Sequence, residues 1–335
     1  MTSPARLDVV AIGNAIVDVI SRADDALIVA ERLTKGSMRL IDAGEAERLY
    51  TAMGPAVEMS GGSAANTLAG MAALGHQCGF IGQVADDQLG AVFTHDLTAT
   101  GVEYTTPPLS QGAPTARCLI LVTPDGQRTM NTFLGASHLL EQKMIDEGMI
   151  ADAAILYLEG YLWDPELSRA AMRRAIDVAR GAARKVAFTL SDAFIIDRHG
   201  DDFRKLLAEG LFDILFANET EICALAQTGD FEGAVAEIAP LVPLLVVTRG
   251  AHGAIAVADG VRTSVAAEPV HAVVDTTGAG DLFAAGFLSG LARGQSMERC
   301  LISGAVCAGV IIAQIGPRAQ SDLSAAVAQR LGEPG

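Results

Sequence analysis

The sequence DTTGAGDLFAAGF at residues 275–287 places two carboxylates on either side of a glycine-rich turn. Residues 278–280 open a run of small apolar residues with a helical pattern, and free N–H groups at a helix start can surround an anion. Asp281 follows within the first turn of this run. A carboxylate there repels phosphate, so its presence favours a role as a general base that accepts a proton from a hydroxyl. The alternative is structural, with Thr277 capping the helix and Asp281 complementing its dipole, and the segment alone leaves both interpretations open.

Two further segments place polar residues where predicted strands end, which is where α/β proteins form their sites. NETE runs from Asn218 to Glu221, directly after the strand-like DILFA. An amide and acids in this position can organise Mg²⁺, often through water, but they also suit a helix cap with an acidic first turn. VTRGAHG brings Thr248, Gly250 and Gly253 to the end of another predicted strand, as a lip for a nucleotide or as an ordinary turn.

Two segments near the start of the chain supply groups that could bind hydroxyls. GNAIVD places Asp18 just after the first predicted strand, and GGSAAN places Asn66 near a glycine-rich helix start. Asp and Asn can hold vicinal hydroxyls through paired hydrogen bonds, although each could equally be a turn residue. The chain has neither G-x-x-x-x-G-K-[ST] nor a G-x-G-x-x-G after its first strand, so the usual phosphate loop and a dinucleotide-binding fold are not indicated.

Composition limits the classes of partner. The 335 residues include 24 Lys and Arg against 40 Asp and Glu, and the net charge of −16 disfavours binding to nucleic acid and to anionic membranes. The five cysteines are scattered without C-x-x-C spacing, as expected for reduced thiols in a cytoplasmic protein. The N-terminal residues do not resemble a signal peptide, and the longest uncharged apolar run, residues 300–315, is shorter than the ~20 residues that span a bilayer.

The elements that must position these residues alternate between strand and helix. Apolar runs such as LDVVAIG, KVAFTL and LLVVTRG indicate buried strands, with helical patterns between them. This alternation predicts an α/β fold with a doubly wound, mainly parallel sheet flanked by helices. Residues 15–41 and 111–133 break the rhythm with short strands and loops. We expect them to form a small β-sheet lid over the open edge of a single domain that spans residues 1–335.

In this order, the motifs resemble those of the ribokinase (PfkB) family of carbohydrate and nucleoside kinases. The matching segments are GNAIVD, GGSAANTLAGMAALG, GQVADDQLG, NETE, TRGAHG and DTTGAGDLFAAGF, and they cover about residues 7–318. YLEGYLW, FTLSDAF, FDILFANETE and RTMNTFLGAS are most similar to the adenosine kinase branch. The resemblance implies a ribokinase-like fold and a phosphotransferase that uses ATP and Mg²⁺.

The resemblance also implies roles for individual residues. Asp281 matches the catalytic base that activates the acceptor hydroxyl. The anion hole for the transferring phosphoryl group corresponds to Gly278, Ala279 and Gly280. A monovalent-cation site found in many members, which could take K⁺ here, corresponds to the backbone carbonyls and the acid near Asp275 and Thr277.

Other motif positions correspond to the binding of nucleotide, Mg²⁺ and acceptor. The nucleotide-binding residues implied are Asn218, Thr248, Gly250 and Gly253. Glu221 corresponds to the acid that holds Mg²⁺ through water. The substrate-binding residues implied, for hydroxyls and for a base, are Asn14, Asp18, Gly62, Ser63, Asn66, Leu134, Ala136 and Phe194.

Two departures from the adenosine kinase pattern bear on the acceptor. Arg39 and Arg117 fall in the predicted lid, where an arginine could bind a carboxylate or phosphate on an acidic sugar. Alternatively, they form solvated or lid-to-lid ion pairs. Leu162 stands where an aromatic residue would stack on a base, so Tyr161 or Trp163 is expected to substitute for it.

Together, these features predict an ATP-dependent kinase that phosphorylates a primary hydroxyl of a nucleoside, with adenosine converted to AMP as the main interpretation. The alternative within the family is a sugar kinase for a ketose, ribose or an acidic sugar. A non-catalytic sensor on the same scaffold is a third hypothesis, but a sensor has no need to retain Asp281. The sequence leaves open whether the protein is a monomer or a homodimer.

Overall fold

The structure is a computed structural model that describes residues 5–333. Fourteen strands occur in the described part of the chain. In order they are β1 (Leu7–Ile12), β2 (Ile16–Arg22), β3 (Met38–Leu40), β4 (Ala56–Gly61), β5 (Cys78–Ile81), β6 (Glu103–Tyr104), β7 (Ala116–Val122), β8 (Arg128–Phe133), β9 (Ala153–Glu159), β10 (Lys185–Thr189), β11 (Ile214–Asn218), β12 (Leu244–Thr248), β13 (Ala254–Ala258) and β14 (Val261–Val265).

Twelve α-helices alternate with these strands over the same residues. In order they are α1 (Asp25–Ala30), α2 (Ala43–Ala52), α3 (Ser63–Ala73), α4 (Gln88–Ala99), α5 (Glu147–Ala151), α6 (Glu166–Gly181), α7 (Ala193–Ala208), α8 (Glu219–Leu225), α9 (Phe231–Ile238), α10 (Ala279–Ala292), α11 (Met297–Ile312) and α12 (Leu323–Leu331). Short 3₁₀ turns add to them, including Gly135–Leu139 after β8 and Gly160–Trp163 after β9.

The large sheet has nine strands in the order β14-β13-β12-β11-β10-β9-β1-β5-β6. Neighbouring strands from β12 to β6 are parallel, and β13 and β14 add an antiparallel hairpin at one edge. The central strand β1 is buried along nearly its whole length, as expected for a strand covered on both faces. The predicted α/β, mainly parallel, doubly wound sheet is therefore confirmed.

Two apolar clusters pack on the opposite faces of this sheet. One contains Trp163, Phe188 and Phe203 and joins the sheet to α6 and α7. The other contains Phe80, Phe283 and Phe287 and joins it to α3, α4 and α10. The uncharged run at residues 300–315 lies mostly in α11, where it packs against α10. Within residues 5–333, no helix is both long enough and apolar enough to cross a membrane.

A second sheet of five strands, which we call the small sheet, has the order β3-β8-β7-β2-β4. Segments 15–41 and 111–133 contribute four of its strands, and the fifth is β4, which pairs antiparallel with β2. The segment between β2 and β4 also contains α1 and α2. Alternate residues of these strands face the large sheet, so the small sheet forms a wall of the cavity described below.

Candidate active site

A cavity of about 1010 Å³ lies between the small sheet and the carboxyl ends of the large sheet's strands. Glu159, Thr189, Asn218 and Thr248, the last residues of four successive strands, all line it. This is the edge at which open α/β sheets form their sites. The cavity brings together most of the residues singled out in the sequence, namely Asn14, Asp18, Gly62, Ser63, Asn66, Leu134, Phe194, Asn218, Glu221, Thr248, Gly250, Gly253, Thr277, Gly278, Ala279, Gly280 and Asp281.

Two of the residues expected at the site do not line the cavity. Ala136 lies in the 3₁₀ turn Gly135–Leu139, where its N–H donates to Pro114 O and its side chain is fully buried in the protein interior. Asp275 is also buried, and both oxygens of its carboxylate accept hydrogen bonds within the protein that are described below.

Asp281 lies in the first turn of α10 with its carboxylate held by two donors. Ser63 Oγ donates to Oδ1 at 2.6 Å, and Asn66 Nδ2 donates to Oδ2 at 2.9 Å. Burial raises the pKa of Asp281, although both hydrogen bonds and the charge of Arg318 oppose the shift. A partly buried carboxylate that is fixed by two donors and has a raised pKa is suited to accept a proton from a hydroxyl.

The start of α10 is built by backbone rather than by a side-chain cap. Gly278 is the N-cap residue, with a positive φ of 76°, and no side chain caps the helix. Thr277 is therefore not the cap that the structural alternative proposed, whereas Asp281 does lie in the first turn, where it complements the dipole. Uncapped N–H groups at a helix N-terminus favour an anion, and here they face the cavity beside Asp281.

The start of α3 fixes the other side of Asp281. Gly62 has φ 90°, and a Cβ at this position would lie 2.2 Å from Asn14 O, so only glycine fits. This close approach sets Ser63 and Asn66 beside Asp281. Because a carboxylate only accepts hydrogen bonds, the Asn66 amide must turn its NH₂ toward Asp281. Its Oδ1 is then left buried without a partner in the protein.

Glu159 is a buried carboxylate that the sequence analysis missed. Its Oε1 accepts from Asn14 N at 2.7 Å and from Asn14 Nδ2 at 2.8 Å, and its Oε2 accepts from Ala64 N at 2.8 Å. Burial raises its pKa to about 7. Glu159 thereby fixes the Asn14 amide, whose Oδ1 is also left without a partner. The signal was present in the sequence as a lone acid in the apolar segment LYLEGYLW.

Two arginines missed in the sequence supply the positive charge near the acids. Burial raises the pKa of Asp18 to about 7, and Arg318 and Arg128 both oppose this shift. Arg318 donates to Ala65 O and to Ser60 Oγ, each at 2.9 Å, which fixes it between α3 and β4. Burial lowers the pKa of Arg318 to about 10, so it stays charged at neutral pH.

Arg128 at the start of β8 reaches from the small sheet to the loop before α10. Its Nη2 lies 2.5 Å from Asp275 Oδ2, and its Nη1 donates to Thr277 Oγ1 at 2.8 Å. The side chains of Arg128 and Asp275 are only 10% and 1% exposed, so the pair is shielded from solvent. Arg128 thus places a positive charge beside the open N-terminus of α10.

One end of the cavity is aromatic and apolar. Tyr161 and Phe194 both line it, with ring centroids 6.2 Å apart. Leu162 and Trp163 are fully buried in the core behind them, so of the two aromatic residues expected to substitute for Leu162, Tyr161 is the one that lines the cavity. The small sheet and the turn after it complete this apolar end with Ile16, Met38, Leu40, Met130 and Leu134.

His138 is a polar residue on the wall of the cavity. Its Nε2 is buried without a hydrogen-bond partner in the protein. Burial lowers the pKa of His138 and therefore favours the neutral imidazole, which carries one donor and one acceptor nitrogen. Together with the orphaned oxygens of Asn14 and Asn66, it presents an unused hydrogen-bonding group to a ligand.

NETE forms the helix cap that was one of its two interpretations. Asn218 accepts from Glu221 N at 2.8 Å, and Glu221 Oε2 accepts from Asn218 N at 2.9 Å, which is a reciprocal capping box. Glu221 nevertheless lines the cavity, and burial raises its pKa to about 7. Within residues 5–333, no group of three or more His, Cys, Asp or Glu is arranged to hold a metal ion.

The far end of the cavity has small and apolar walls around Thr248 and the glycines that follow it. Gly253 has φ 84°, and a Cβ there would lie 2.0 Å from Val265 O. The loop before α10 and one face of α11 close this end through Pro269, Val270, Val273, Ala305, Ala308 and Ile312. These walls suit an apolar group next to an anion at the α10 N-terminus.

Arg39 and Arg117 point away from the cavity. Arg39 Nε donates to Asn131 Oδ1 at 2.8 Å, and its Nη2 lies 3.0 Å from Glu45 Oε1 in α2. The Arg117 guanidinium lies over the Tyr50 ring, 5.8 Å from its centroid. Neither arginine lines the cavity, because both lie on the face of the small sheet that packs against α2. The ion-pair interpretation fits Arg39, and neither residue is placed to bind an acidic acceptor.

Comparisons with known proteins agree with this geometry. Residues 7–323 match the pfkB family carbohydrate kinase. The crystal structure of a Rhizobium etli CFN 42 protein, described as a probable sugar kinase, is 47% identical with a TM-score of 0.92, over 98% of this chain and 99% of that chain. The adenosine kinase of Sinorhizobium meliloti is 47% identical with a TM-score of 0.91, over 97% and 99% of the two chains.

A sequence relative from a plant extends the likeness beyond these bacterial proteins. Adenosine kinase 2 of Arabidopsis thaliana is 27% identical over 336 residues, which cover 91% of this chain and 93% of the relative. The family match covers nearly the whole chain, including both sheets and every residue that lines the cavity. The chain therefore belongs to the pfkB family of carbohydrate kinases.

Proposed function

We propose that this protein transfers the γ-phosphoryl group of ATP to the 5′-hydroxyl of a nucleoside, with adenosine converted to AMP as the main reaction. The observation that carries the choice of acceptor is the aromatic and apolar end of the cavity, where Tyr161 and Phe194 lie. A sugar alone would leave most of such an end unfilled, whereas a purine has a flat ring system that can stack on aromatic rings. The Sinorhizobium and Arabidopsis adenosine kinases support the same acceptor.

The polar groups next to this apolar end suit the hydroxyls of a ribose. Asn14 and Asn66 offer acceptor oxygens that lack partners in the protein, and Asp18 offers a carboxylate. All three groups call for O–H donors, which the 2′- and 3′-hydroxyls of a nucleoside provide. Binding of these hydroxyls would direct the 5′-hydroxyl toward Asp281.

In the proposed transfer, the 5′-oxygen attacks the γ-phosphorus of ATP as Asp281 accepts the hydroxyl proton. The bond between the γ-phosphorus and the bridging oxygen breaks, and ADP leaves. The N–H groups at the start of α10 are placed to stabilise the negative charge on the transferring group, and the ion pair of Arg128 and Asp275 lies next to them. Help from a general base is worth about 10²–10⁴ in rate.

ATP is proposed to bind with its base at the far apolar end, next to Thr248, Gly250 and Gly253. Mg²⁺, when bound to the phosphates, would neutralise their charge. Glu221 is a buried acid that lines the cavity and would hold this ion. The contact would run through water, since residues 5–333 contain no cluster of acids, histidines or cysteines that could bind a metal ion directly. Asn218 fixes Glu221 in position through the capping box.

The second candidate is a sugar kinase, which the description of the Rhizobium etli protein favours. The geometry gives little support to an acidic sugar, since Arg39 and Arg117 face away from the cavity. A ketose or ribose would use the same hydroxyl-binding groups and Asp281, but would leave the aromatic end unfilled.

A coupled ADP-release assay separates the two candidates. The acceptors tested would be adenosine, inosine, ribose, fructose and a sugar acid, each with ATP and Mg²⁺. We expect kcat/KM for adenosine to exceed that for every free sugar by at least about 100-fold, because only the nucleoside fills both ends of the acceptor site. A free sugar that matches or exceeds adenosine would overturn the nucleoside proposal and leave the kinase assignment in place.

A further inference from the structure

Asp275 is the acid at which the family resemblance implies a monovalent cation, and its carboxylate is already occupied within the protein. Oδ1 accepts from Thr277 N at 2.9 Å, and Oδ2 accepts from Gly316 N at 2.9 Å. The Arg128 guanidinium then lies 2.5 Å from Oδ2. These contacts engage both oxygens of the Asp275 carboxylate, so a metal ion would have to displace the guanidinium to bind Oδ2.

The side-chain hydroxyl of Thr277 also has a partner within the protein. Thr277 Oγ1 accepts from Arg128 Nη1 at 2.8 Å, so one guanidinium spans both residues of the implied cation site. A monovalent ion at this place would stand within a few ångströms of a fixed positive charge. In a region shielded from water, that repulsion is only weakly screened, which disfavours having both charges there together.

A permanent cation on the small sheet differs from a dissolved ion in one respect. Arg128 belongs to β8, whereas Asp275 and Thr277 precede α10 on the main body. The charge therefore reaches the anion-binding end of α10 only while the small sheet lies over the cavity. Guanidinium is suited to this position because its ordinary pKa is very high. Arg128 therefore remains protonated even though burial lowers its pKa.

We propose that Arg128 takes the place of a monovalent metal ion at Asp275 and Thr277, so that the enzyme needs no K⁺ or Na⁺ and links this charge to the position of the small sheet. The inference rests on the kinase activity and is independent of which acceptor is used. Arg128 acts as a positioning residue for the loop before α10, and its charge neutralises Asp275 next to the transferred group.

The test compares cations at constant ionic strength. Wild-type protein, R128A, R128K and R39A would be assayed with KCl, NaCl or choline chloride, using choline salts of ATP and whichever acceptor the wild type accepts best. R39A is the matched control, since Arg39 also lies in the small sheet and pairs with an acid, Glu45, away from the cavity. Thermal unfolding in the same salts would give a readout that does not depend on activity.

We expect wild type, R128K and R39A to vary less than about twofold among the three salts. R128A should lose at least about tenfold in kcat in choline chloride and regain at least about threefold in KCl or NaCl, because the vacated site can then take an ion. Its Tm should rise in KCl relative to choline chloride, whereas the Tm of the wild type should not. A purely structural role for Arg128 would produce no such selectivity between salts.

Two results would overturn the proposal. One is a wild-type enzyme that K⁺ or Na⁺ activates more than about fivefold over choline, a measurement that needs no variant. The other is a folded R128A that neither metal ion activates or stabilises. Failure of the nucleoside assignment would instead appear as a different best acceptor in the same assay, with the salt comparison unaffected.

Discussion

At the scale of single residues, the site depends on how buried acids are held by their neighbours. Asp281 has donors on both oxygens, and Glu159 accepts three hydrogen bonds, two of them from Asn14. Each carboxylate fixes an asparagine whose remaining oxygen has no partner in the protein. Buried acceptor oxygens that lack donors cost free energy of folding, so this arrangement does not serve stability. It is well suited to a ligand rich in hydroxyls.

The replacement D281N tests the base directly. Asn cannot accept the proton from the acceptor hydroxyl, so we expect kcat to fall by at least about 10²-fold while ATP binding is retained. Steady-state turnover assays would measure kcat, and equilibrium titration would measure the affinity for ATP. D259N, in the exposed turn between β13 and β14, is the control for the loss of one acidic charge. Turnover of D281N within tenfold of the wild type would rule out Asp281 as the base.

The pH dependence of activity tests the role of Arg318. Only ionised Asp281 can accept a proton, so kcat should fall as the pH drops through the Asp281 pKa, which burial raises. Arg318 opposes that rise, so its removal in R318Q should raise the pKa further and move the acid limb to higher pH. Asp18 shares this arginine, so the limb reports on both acids. R318K keeps the charge and should leave the limb in place, and an unmoved limb in R318Q would contradict the prediction.

At the scale of elements, the sequence predicted the large sheet better than the small one. Strands such as β1 and β12 are buried on both faces, so their apolar runs identify them without knowledge of their partners. β4, with the sequence AVEMSG, was missed because it is an edge strand with exposed residues and is held by pairing with β2. Helices α1 and α2, which lie between β2 and β4, were missed in the same part of the chain.

The candidate site was predictable to the extent that it depends on strand ends and helix starts. Asp281, Asn66 and Thr248 occupy such positions and lie together at the cavity. Arg128 and Arg318 were not predictable, since their importance comes from contacts across about 150 to 260 residues of sequence separation. Tyr161 rather than Leu162 lines the cavity because both lie in the 3₁₀ turn after β9, where side chains do not alternate between two faces as they do in a strand. The functional roles of all these residues stay predictions.

Gly62, between β4 of the small sheet and α3, occupies a position at which only glycine fits. In G62A, the new Cβ would lie 2.2 Å from Asn14 O, in addition to the strain of a positive φ. G75A provides the matched control, since Gly75 has a similar φ of 88° with no atom within 4 Å of the Cβ position. We expect G75A to lose about 1–2 kcal/mol of unfolding free energy from backbone strain alone, and G62A to lose more and to raise KM for the acceptor. Equal stabilities in denaturant titrations would contradict this.

The two faces of the small sheet should respond differently to substitution. R39A/R117A removes both arginines on the face toward α2, and we expect KM for the acceptor to change less than about twofold. The cost should be about 1 kcal/mol of stability from the lost Glu45 pair and the lost contact with Tyr50. Steady-state kinetics and thermal unfolding would measure both effects. A large rise in KM, above all for a sugar acid, would instead place these arginines in acceptor binding.

At the scale of the whole molecule, the distribution of charge explains how an acidic protein can hold a polyphosphate. Its formal charge is −16, yet the open N-terminus of α10 faces the cavity, and Arg128 and Arg318 lie beside acids that border it. This field is local, because charges farther away than about 10 Å are largely screened at 0.1 M salt. The net charge therefore bears on solubility and stability more than on the chemistry of the site.

The excess of acidic residues predicts that salt stabilises the native state. With 40 acids against 24 Lys and Arg, repulsion among surface acids should outweigh the weakening of exposed ion pairs, each worth about 0–1 kcal/mol. Raising the ionic strength from about 20 to about 200 mM shortens the screening length from about 20 to about 7 Å. If about 1 kcal/mol of repulsion is screened, Tm should rise by roughly 1–2 °C in a chain of this size. Choline chloride should act as KCl does, because screening does not distinguish them, and a Tm that falls with either salt would show that the ion pairs outweigh the repulsion.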